Sequence, residues 1–415
     1  MKIESDISSP LNIGSMIFGS LAAAGGYPIF TYELLTRLTQ RGHRVDLYIT
    51  HREYRKRRSF YRRMPFSVKP LPFRTHNLLR FAPFALRAYL AYQNAVRRYD
   101  VWQIVGSYPA GYVASTLSGR VPLVLRTHGA DIQKNAALNY GLRLDARLER
   151  IIKGTVHKMD RLVALSESIA ECYRELGVTD GKIVEIPNGV DVERFRGGLD
   201  GKVKTRQKWG LPMDRPLVLT IGRNHPKKGY ALIPEVARIL KAKGASFLWL
   251  VVGDNTDQLD PLIERSGVTD MVRTQGEIGV TDSDDDDHQL RLPSDEIVGL
   301  YQCADIFAFP TLLEGFPRVL IEAMAAGLPM VTTDAPGCKE VVSHEETGLV
   351  ARSGNVEEFA SHLYRLLQDG GLRQGLIDNA YRHVRRYDWK IVTGSYEELY
   401  RSLLPQGRNF AASGA

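Results

Sequence analysis

Four short segments of this chain combine glycine with residues that bind anions, hold hydroxyl groups or carry protons. In IGRNHPKKG, residues 221–229, an apolar run ends at Ile221, and Arg223 and Lys228 follow in the loop. An arginine fork and a lysine point charge together suit a diphosphate. In PTLLEGFPRVLIEAMAAGLP, residues 310–329, seven residues separate Glu314 from Glu322. Pro317 fits the first turn of a helix, so Glu314 falls in the loop before that helix and Glu322 one turn inside it. The loop carboxylate suits the polar end of a ligand, and the helical one suits a ribose diol. Backbone N–H groups of the first turn lack partners within the helix and suit phosphate oxygens. RTHGAD, residues 126–131, sets His128 just past another apolar run, within reach of a sugar hydroxyl or a developing charge. Gly25 and Gly26 let backbone N–H groups approach a phosphate at a helix start. The spacing G-x-G-x-x-G of dinucleotide sites is absent. Taken singly, each segment has a plainer reading: a packing loop, a solvated basic loop, an exposed helical glutamate, a structural histidine. Taken together, they describe a nucleotide-sugar site facing two ways across a cleft.

Such loops need strand ends to carry them. Short apolar runs alternate with amphipathic stretches along the chain, which predicts parallel sheets covered on both faces. The first series has strands over 12–18, 45–50, 101–105, 121–126, 161–165 and 182–186, with helices over 29–41, 77–98, 139–158 and 167–176. Pro187, Asn188 and Gly189, then Gly197, Gly198 and Gly201, supply hinge-like turn chemistry. A second series starts at 216, with strands over 216–221, 246–252, 305–309 and 329–332 and helices over 230–243, 257–266, 294–302 and 318–326. Beyond 355 only helices are expected. The fold class is therefore α/β, with two doubly wound Rossmann-like domains: residues 1–187 and residues 188–388.

Composition narrows the function classes. With 415 residues, 44% apolar and 25% charged, the chain has the make-up of an ordinary soluble protein of about two domains. Cys172, Cys303 and Cys338 are odd in number and far apart, which supports neither a disulfide framework nor a zinc site. The uncharged stretch 7–32 is broken by glycines and lacks a basic leader, so it reads as a buried strand and loop rather than a signal peptide. Charge is split: residues 1–200 carry 30 Lys+Arg against 18 Asp+Glu, net +12, whereas residues 201–415 carry 25 against 29, net −4.

The ordered set of motifs resembles glycosyltransferase family 4, the retaining enzymes of the GT-B fold. The matching pieces begin with Gly25–Gly26, TRLTQRGHRV, HGAD, ALSES and IPNGVDVERF. They continue with GRNHPKKG, VVGD, EGFPRVLIE, PGCKEVV and ETGLV, in the family's order from about residue 12 to 400. The resemblance implies that Arg223 and Lys228 hold the donor diphosphate and that Glu322 binds the ribose. Glu314, with the backbone of Gly315 and Phe316, would grip the donor sugar near the reacting carbon. Arg318, Val319 and Leu320 would give N–H groups to the phosphates, Gly25 and Gly26 would close over them, and His128 would touch the sugar. It implies front-face attack aided by the departing diphosphate, no metal and no cofactor. It also implies a last helix, residues 389–404, that crosses back to the first domain.

These features predict a hexosyltransferase that takes sugar from a UDP-linked donor to a glycan or lipid-linked saccharide in cell-surface polysaccharide synthesis. A nucleotide-sugar epimerase of the same fold is the alternative. Nucleic acid is not an expected partner, because the basic excess is confined to one half and carries no nucleic-acid motif. The acidic run Asp284–Asp287 suggests a metal by composition, but a solvated loop is the plainer reading. Residues 51–98 mix basic side chains with Tyr54, Phe60, Tyr61, Phe66, Phe73, Phe81, Phe84, Tyr89 and Tyr92. Cations with rings at a headgroup boundary predict contact with an anionic membrane surface. The expected location is the cytoplasm, peripheral on the cytoplasmic face of the inner membrane.

Overall fold

The computed structural model describes residues 9–22, 25–72, 82–278 and 291–405. Two parallel sheets organise the chain. The first is built from β1 (Asn12–Ile17), β2 (Arg44–Ile49), β3 (Ser67–Pro70), β4 (Val101–Val105), β5 (Leu123–Arg126), β6 (Arg161–Ala164) and β7 (Ile183–Glu185). Its order is β3-β2-β1-β4-β5-β6-β7. The second contains β8 (Leu217–Ile221), β9 (Leu248–Val252), β10 (Val272–Gln275), β11 (Ile306–Ala308), β12 (Met330–Thr333) and β13 (Leu349–Ala351), in the order β10-β9-β8-β11-β12-β13. β4, β5 and β9 are buried at every position, as sheets covered on both faces require. The α/β reading therefore holds for both halves.

Single residues set several boundaries. The helix expected over 139–158 begins only at Ala146. Asn135 and Tyr140 pair in an isolated antiparallel bridge, and Gly141 takes a φ of +113°, so the backbone cannot enter a helix there. Asp145 then caps the helix, accepting from Arg147 N and Leu148 N at 2.7 and 3.2 Å. The helix expected from 230 opens as a 3₁₀ turn, Tyr230–Leu232, before Ile233–Ala242. The strands β3, β10 and β13 were not expected; β3 (SVKP) and β10 (VRTQ) lack the apolar run that marks the other strands.

The last helix, Trp389–Ser402, buries Trp389, Val392, Tyr396 and Tyr400 in the same apolar cluster as β1, β2 and the helix Gly26–Gln40. Tyr400 OH donates to Gln103 Oε1 on β4 at 2.8 Å. Among the described residues no helix is long and apolar enough to cross a membrane.

The basic segment departs from expectation. It forms two short helices, His51–Lys56 and Arg58–Arg62, then β3. Arg52, Arg55, Lys56, Arg58, Arg62 and Arg63 are exposed. Phe60, Tyr61 and Phe66 are buried, however, and Tyr54 stacks on Tyr61. Phe60, Tyr61 and Phe66 fill the core instead of lying at a headgroup boundary, whereas Tyr92 of the same segment is 61% exposed. Phe73 and Phe81 lie outside the described residues.

Candidate active site

The loops expected to carry chemistry meet at the carboxyl ends of the two sheets, where open α/β sheets place ligands. On the second-sheet wall the turn after β8 is locked to the loop after β11. Gly229 has a φ of +64°, and a Cβ there would lie 2.1 Å from Pro310 O. Leu312 N and Thr311 Oγ1 both donate to Lys227 O, at 2.7 and 3.0 Å. This backbone contact delivers both lysines to Glu314. Lys228 Nζ lies 2.5 Å from Glu314 Oε1, with Thr311 Oγ1 3.1 Å from the same oxygen, and Lys227 Nζ lies 3.5 Å from Oε2. Glu314 is only 6% exposed. Burial alone would raise its pKa, but Lys227 and Lys228 outweigh burial and hold the carboxyl below its usual range.

Glu322 is 4% exposed, which excludes a solvent-facing helix charge. Tyr301 OH donates to its Oε2 at 3.0 Å and Arg318 Nη2 to its Oε1 at 3.1 Å. Arg318 itself is buried, and its Nε and Nη1 find no partner among the described residues. Buried donors without partners are rare, and these two point to an acceptor that arrives with a ligand. The helix Arg318–Ala325 follows Pro317 as expected. Its Leu320 N–H is not open, because it donates to Pro317 O at 3.1 Å. The first-turn donors left for an anion are those of Arg318 and Val319.

On the first-sheet wall, β5 runs into the RTHGAD turn. Asp131 braces it, accepting from His128 N and Ser107 N at 2.7 Å each. The His128 ring sits 4.9 Å from the ring of Tyr27, and its Nδ1 lies 3.3 Å from Arg126 Nη1. Its Nε2 is buried and has no partner among the described residues. Burial, then the nearby Arg126 charge, push the imidazole pKa well below 6.5, so His128 is neutral. Gly25 takes a φ of +146°, and a Cβ on Gly26 would lie 3.8 Å from Arg318 Cδ. The glycine loop therefore abuts the start of the Glu322 helix.

Three side chains fasten the walls together. Gln133 Nε2 donates to Glu314 O at 2.7 Å, Ser166 Oγ to Gly315 O at 2.6 Å and Asn188 Nδ2 to Phe316 O at 2.9 Å. Consecutive carbonyls of one loop are thus held by two side chains of the first half and one of the hinge. Gly315 packs against Ile169, and the Phe316 ring turns away to meet Tyr387 at 5.4 Å. Lys227 Nζ stands 4.7 Å from the centre of the Tyr140 ring, a further contact across the cleft.

Glu314, Lys228, Glu322, Gly26, Gly315 and the first turn at Arg318 and Val319 are thus brought together, with His128 opposite. Arg223 and Lys228 do not form one basic pair: Lys228 is turned into Glu314, whereas Arg223 is exposed at the rim. There the Arg223 charge acts on Tyr27, Tyr140 and His225. Arg126, Gln133, Tyr140, Ser166, Lys227 and Tyr301 carry much of the geometry and were not singled out from sequence, and Arg318 was named only for its backbone N–H. Lys227 adjoined a chosen residue, and Arg318 lay in a chosen motif. Tyr140 had no local signal. Among the described residues no three His, Cys, Asp or Glu side chains gather to hold a metal, and Asp284–Asp287 lie outside them.

Comparison with known proteins agrees with this architecture. Residues 24–194 match Glycosyltransferase Family 4, and residues 202–383 match Glycosyl transferases group 1. D-inositol 3-phosphate glycosyltransferase of Streptomyces bingchenggensis is 30% identical over 68% of this chain and 61% of its own length. N,N'-diacetylbacillosaminyl-diphospho-undecaprenol alpha-1,3-N-acetylgalactosaminyltransferase of Campylobacter jejuni is 32% identical over 61% of this chain and 65% of its own. The chain therefore spans somewhat under two thirds of these curated relatives. Among solved structures, HepE of Anabaena in complex with UDP superposes with a TM-score of 0.77 at 20% identity, over 95% of this chain and all of that one. Two parallel-sheet domains of this kind are the GT-B fold. With one family matched by each half, in chain order, the protein belongs to the family 4 and group 1 glycosyltransferases.

Proposed function

We propose that the protein transfers a sugar from a UDP-linked donor to a glycan or lipid-linked saccharide, with retained configuration and without a metal ion. The observation that carries this reading is the second-sheet wall. There two lysines, a buried arginine with two unpartnered nitrogens and an open helix end surround two buried glutamates. A diphosphate seated there meets Lys228, Arg318 and the N–H groups of Arg318 and Val319, with Arg223 at the rim. Lysine has three donors, so Lys228 can keep Glu314 and still reach a phosphate oxygen. These cations stabilise the charge that grows on the leaving diphosphate as the sugar–oxygen bond breaks. Glu322 accepts from the ribose. Glu314 orients the sugar, and His128, being neutral, donates a hydrogen bond to one of its hydroxyls. The acceptor hydroxyl attacks from the leaving-group face, and its proton passes to the departing diphosphate.

The complex of HepE with UDP supports the choice of base, and the Campylobacter relative, named for a diphospho-undecaprenol acceptor, supports the lipid-linked saccharide. The test is thermal shift against a panel of nucleotides. A binder present at a hundredfold excess over its Kd stabilises the fold by about 2.7 kcal/mol. Product analysis with and without a saccharide acceptor follows. Stabilisation by UDP and retained linkage in the product are expected. Release of a free isomerised sugar without acceptor would mark an epimerase instead. Activity should survive EDTA, and Asp284–Asp287 changed to serine should cost little. Loss on chelation, restored by manganese or magnesium, would overturn metal independence.

The exposed cations of residues 52–63, with Tyr92 exposed farther along the segment, support docking on an anionic surface at the cytoplasmic face of the membrane. The protein should float with anionic liposomes at low salt and be released at high salt. Equal recovery on neutral vesicles would remove the membrane.

A further inference from the structure

Arg126 ends β5 at 1% exposure, and no ion pair to a carboxylate is found for it among the described residues. Its guanidinium carbon lies 3.4 Å from the centre of the Phe30 ring, a contact that lets a cation stay buried. Burial pulls its pKa down to about 10, which still leaves it charged at neutral pH. Its two terminal nitrogens point to different parts of the site. Nη2 donates to Asn188 Oδ1, and Asn188 Nδ2 in turn donates to Phe316 O at 2.9 Å. Nη1 faces His128 Nδ1 at 3.3 Å.

Chemistry fixes the direction of that last contact. A guanidinium has donors and no acceptor, so Nδ1 must be the accepting nitrogen. In a neutral imidazole the proton then resides on Nε2, the nitrogen left buried without a partner among the described residues. We infer that Arg126 is a positioning residue that holds His128 as the Nε2–H tautomer and, through Asn188, ties that donor to the placement of the loop Glu314–Phe316. One buried cation thereby aligns a donor on the first-sheet wall with the loop of the second. The inference rests on His128 being a sugar-facing donor, as proposed above.

Its test does not need turnover. Long-range proton–nitrogen spectra of the full chain labelled with 15N-histidine, without ligand, report the tautomer of each ring, and a His128→Asn spectrum assigns the signal. The expected wild-type signal has a pyrrole-like Nε2 and a pyridine-like Nδ1. Arg126→Met should mix the two tautomers and lower kcat by about tenfold to a hundredfold through misplacement. A wild-type Nδ1–H ring, or an unchanged tautomer in Arg126→Met, would overturn the role. Should the methionine variant not fold, the wild-type spectrum still decides, because a protonated Nδ1 cannot accept from arginine. If the tautomer is as stated while the wild-type chain transfers no sugar, the transferase reading fails and Arg126 keeps its place. If transfer occurs with the other tautomer, the reverse holds.

Discussion

On the second-sheet wall Glu314 keeps its charge because Lys227 and Lys228 face it. On the first-sheet wall His128 gives its charge up, because it is buried and the nearby Arg126 adds to the cost. Both groups are buried, and their neighbours decide the outcome. One wall of the cleft thus presents compensated charge, suited to a diphosphate. The other presents neutral donors, suited to sugar hydroxyls. The difference teaches that burial alone does not assign a role.

The comparison breaks most severely at Glu314. Glu314→Gln keeps the shape and leaves two partly buried lysines without their counter-charge, so stability should fall by about 3 kcal/mol, the low end for a buried pair, read from the urea midpoint. Residual transfer should give the same anomer, because the carboxylate orients and does not attack. A glycosyl ester trapped on wild-type Glu314, seen by intact mass, would make it a nucleophile.

Arg223→Ala tests the exposed cation at the same wall. Loss of a preorganised donor to the developing charge should lower kcat/KM by roughly 10²–10³ with an unchanged melting curve. Wild-type kcat/KM in this variant would remove Arg223 from the diphosphate site. His128→Ala, on the neutral wall, removes one uncharged hydrogen bond, worth about 1 kcal/mol net, so kcat/KM should fall only about fivefold. A loss as large as that of Arg223 would mean that His128 meets a charge after all.

The smallest effect separates the walls by pH. Folded His128 binds its proton well below 6.5, so the unfolded chain protonates first as pH falls. Its contribution is complete above about 6.5 and is lost as pH falls from there toward the folded value. Folded Glu314 lies below 4.5, so its contribution is complete above about 4.5 and is lost at lower pH. Melting curves across this range, wild type against His128→Asn and against Glu314→Gln, should diverge from two different onsets as pH falls, near 6.5 for His128 and near 4.5 for Glu314. A single shared onset would show that the two groups titrate together.

Much of this site was legible because strand-end loops concentrate unusual residue types. Glu314, Glu322 and His128 each follow an apolar run, where a polar side chain needs a reason. Arg126 was not legible as more than a strand end, since its role depends on Asn188 and Phe30, which are distant in sequence and adjacent only in space. Leu320 was assigned an open N–H because a helix start leaves three donors, and the Pro317 carbonyl takes one of them only through local backbone geometry. The rings of residues 54–66 show a real limit of pattern. Aromatic side chains among cations look the same in sequence whether they lie on a membrane or beneath a sheet, and only the path of the chain decides. The sheets themselves were readable from alternation, apart from β3, β10 and β13, of which β3 and β10 are too polar to show an apolar run.

The fastening of three consecutive carbonyls, at Glu314, Gly315 and Phe316, by Gln133, Ser166 and Asn188 bears on how this chain can be cut and recombined. A fragment that begins after the hinge would keep Lys227, Lys228, Glu314 and Glu322, yet its loop would lack all three outside donors. A chimera that joins residue 189 onward to a relative's first half inherits the same gap unless Gln, Ser and Asn come with it. These three side chains, each far from its partner in sequence, are therefore the smallest set to transplant when halves from different relatives are spliced.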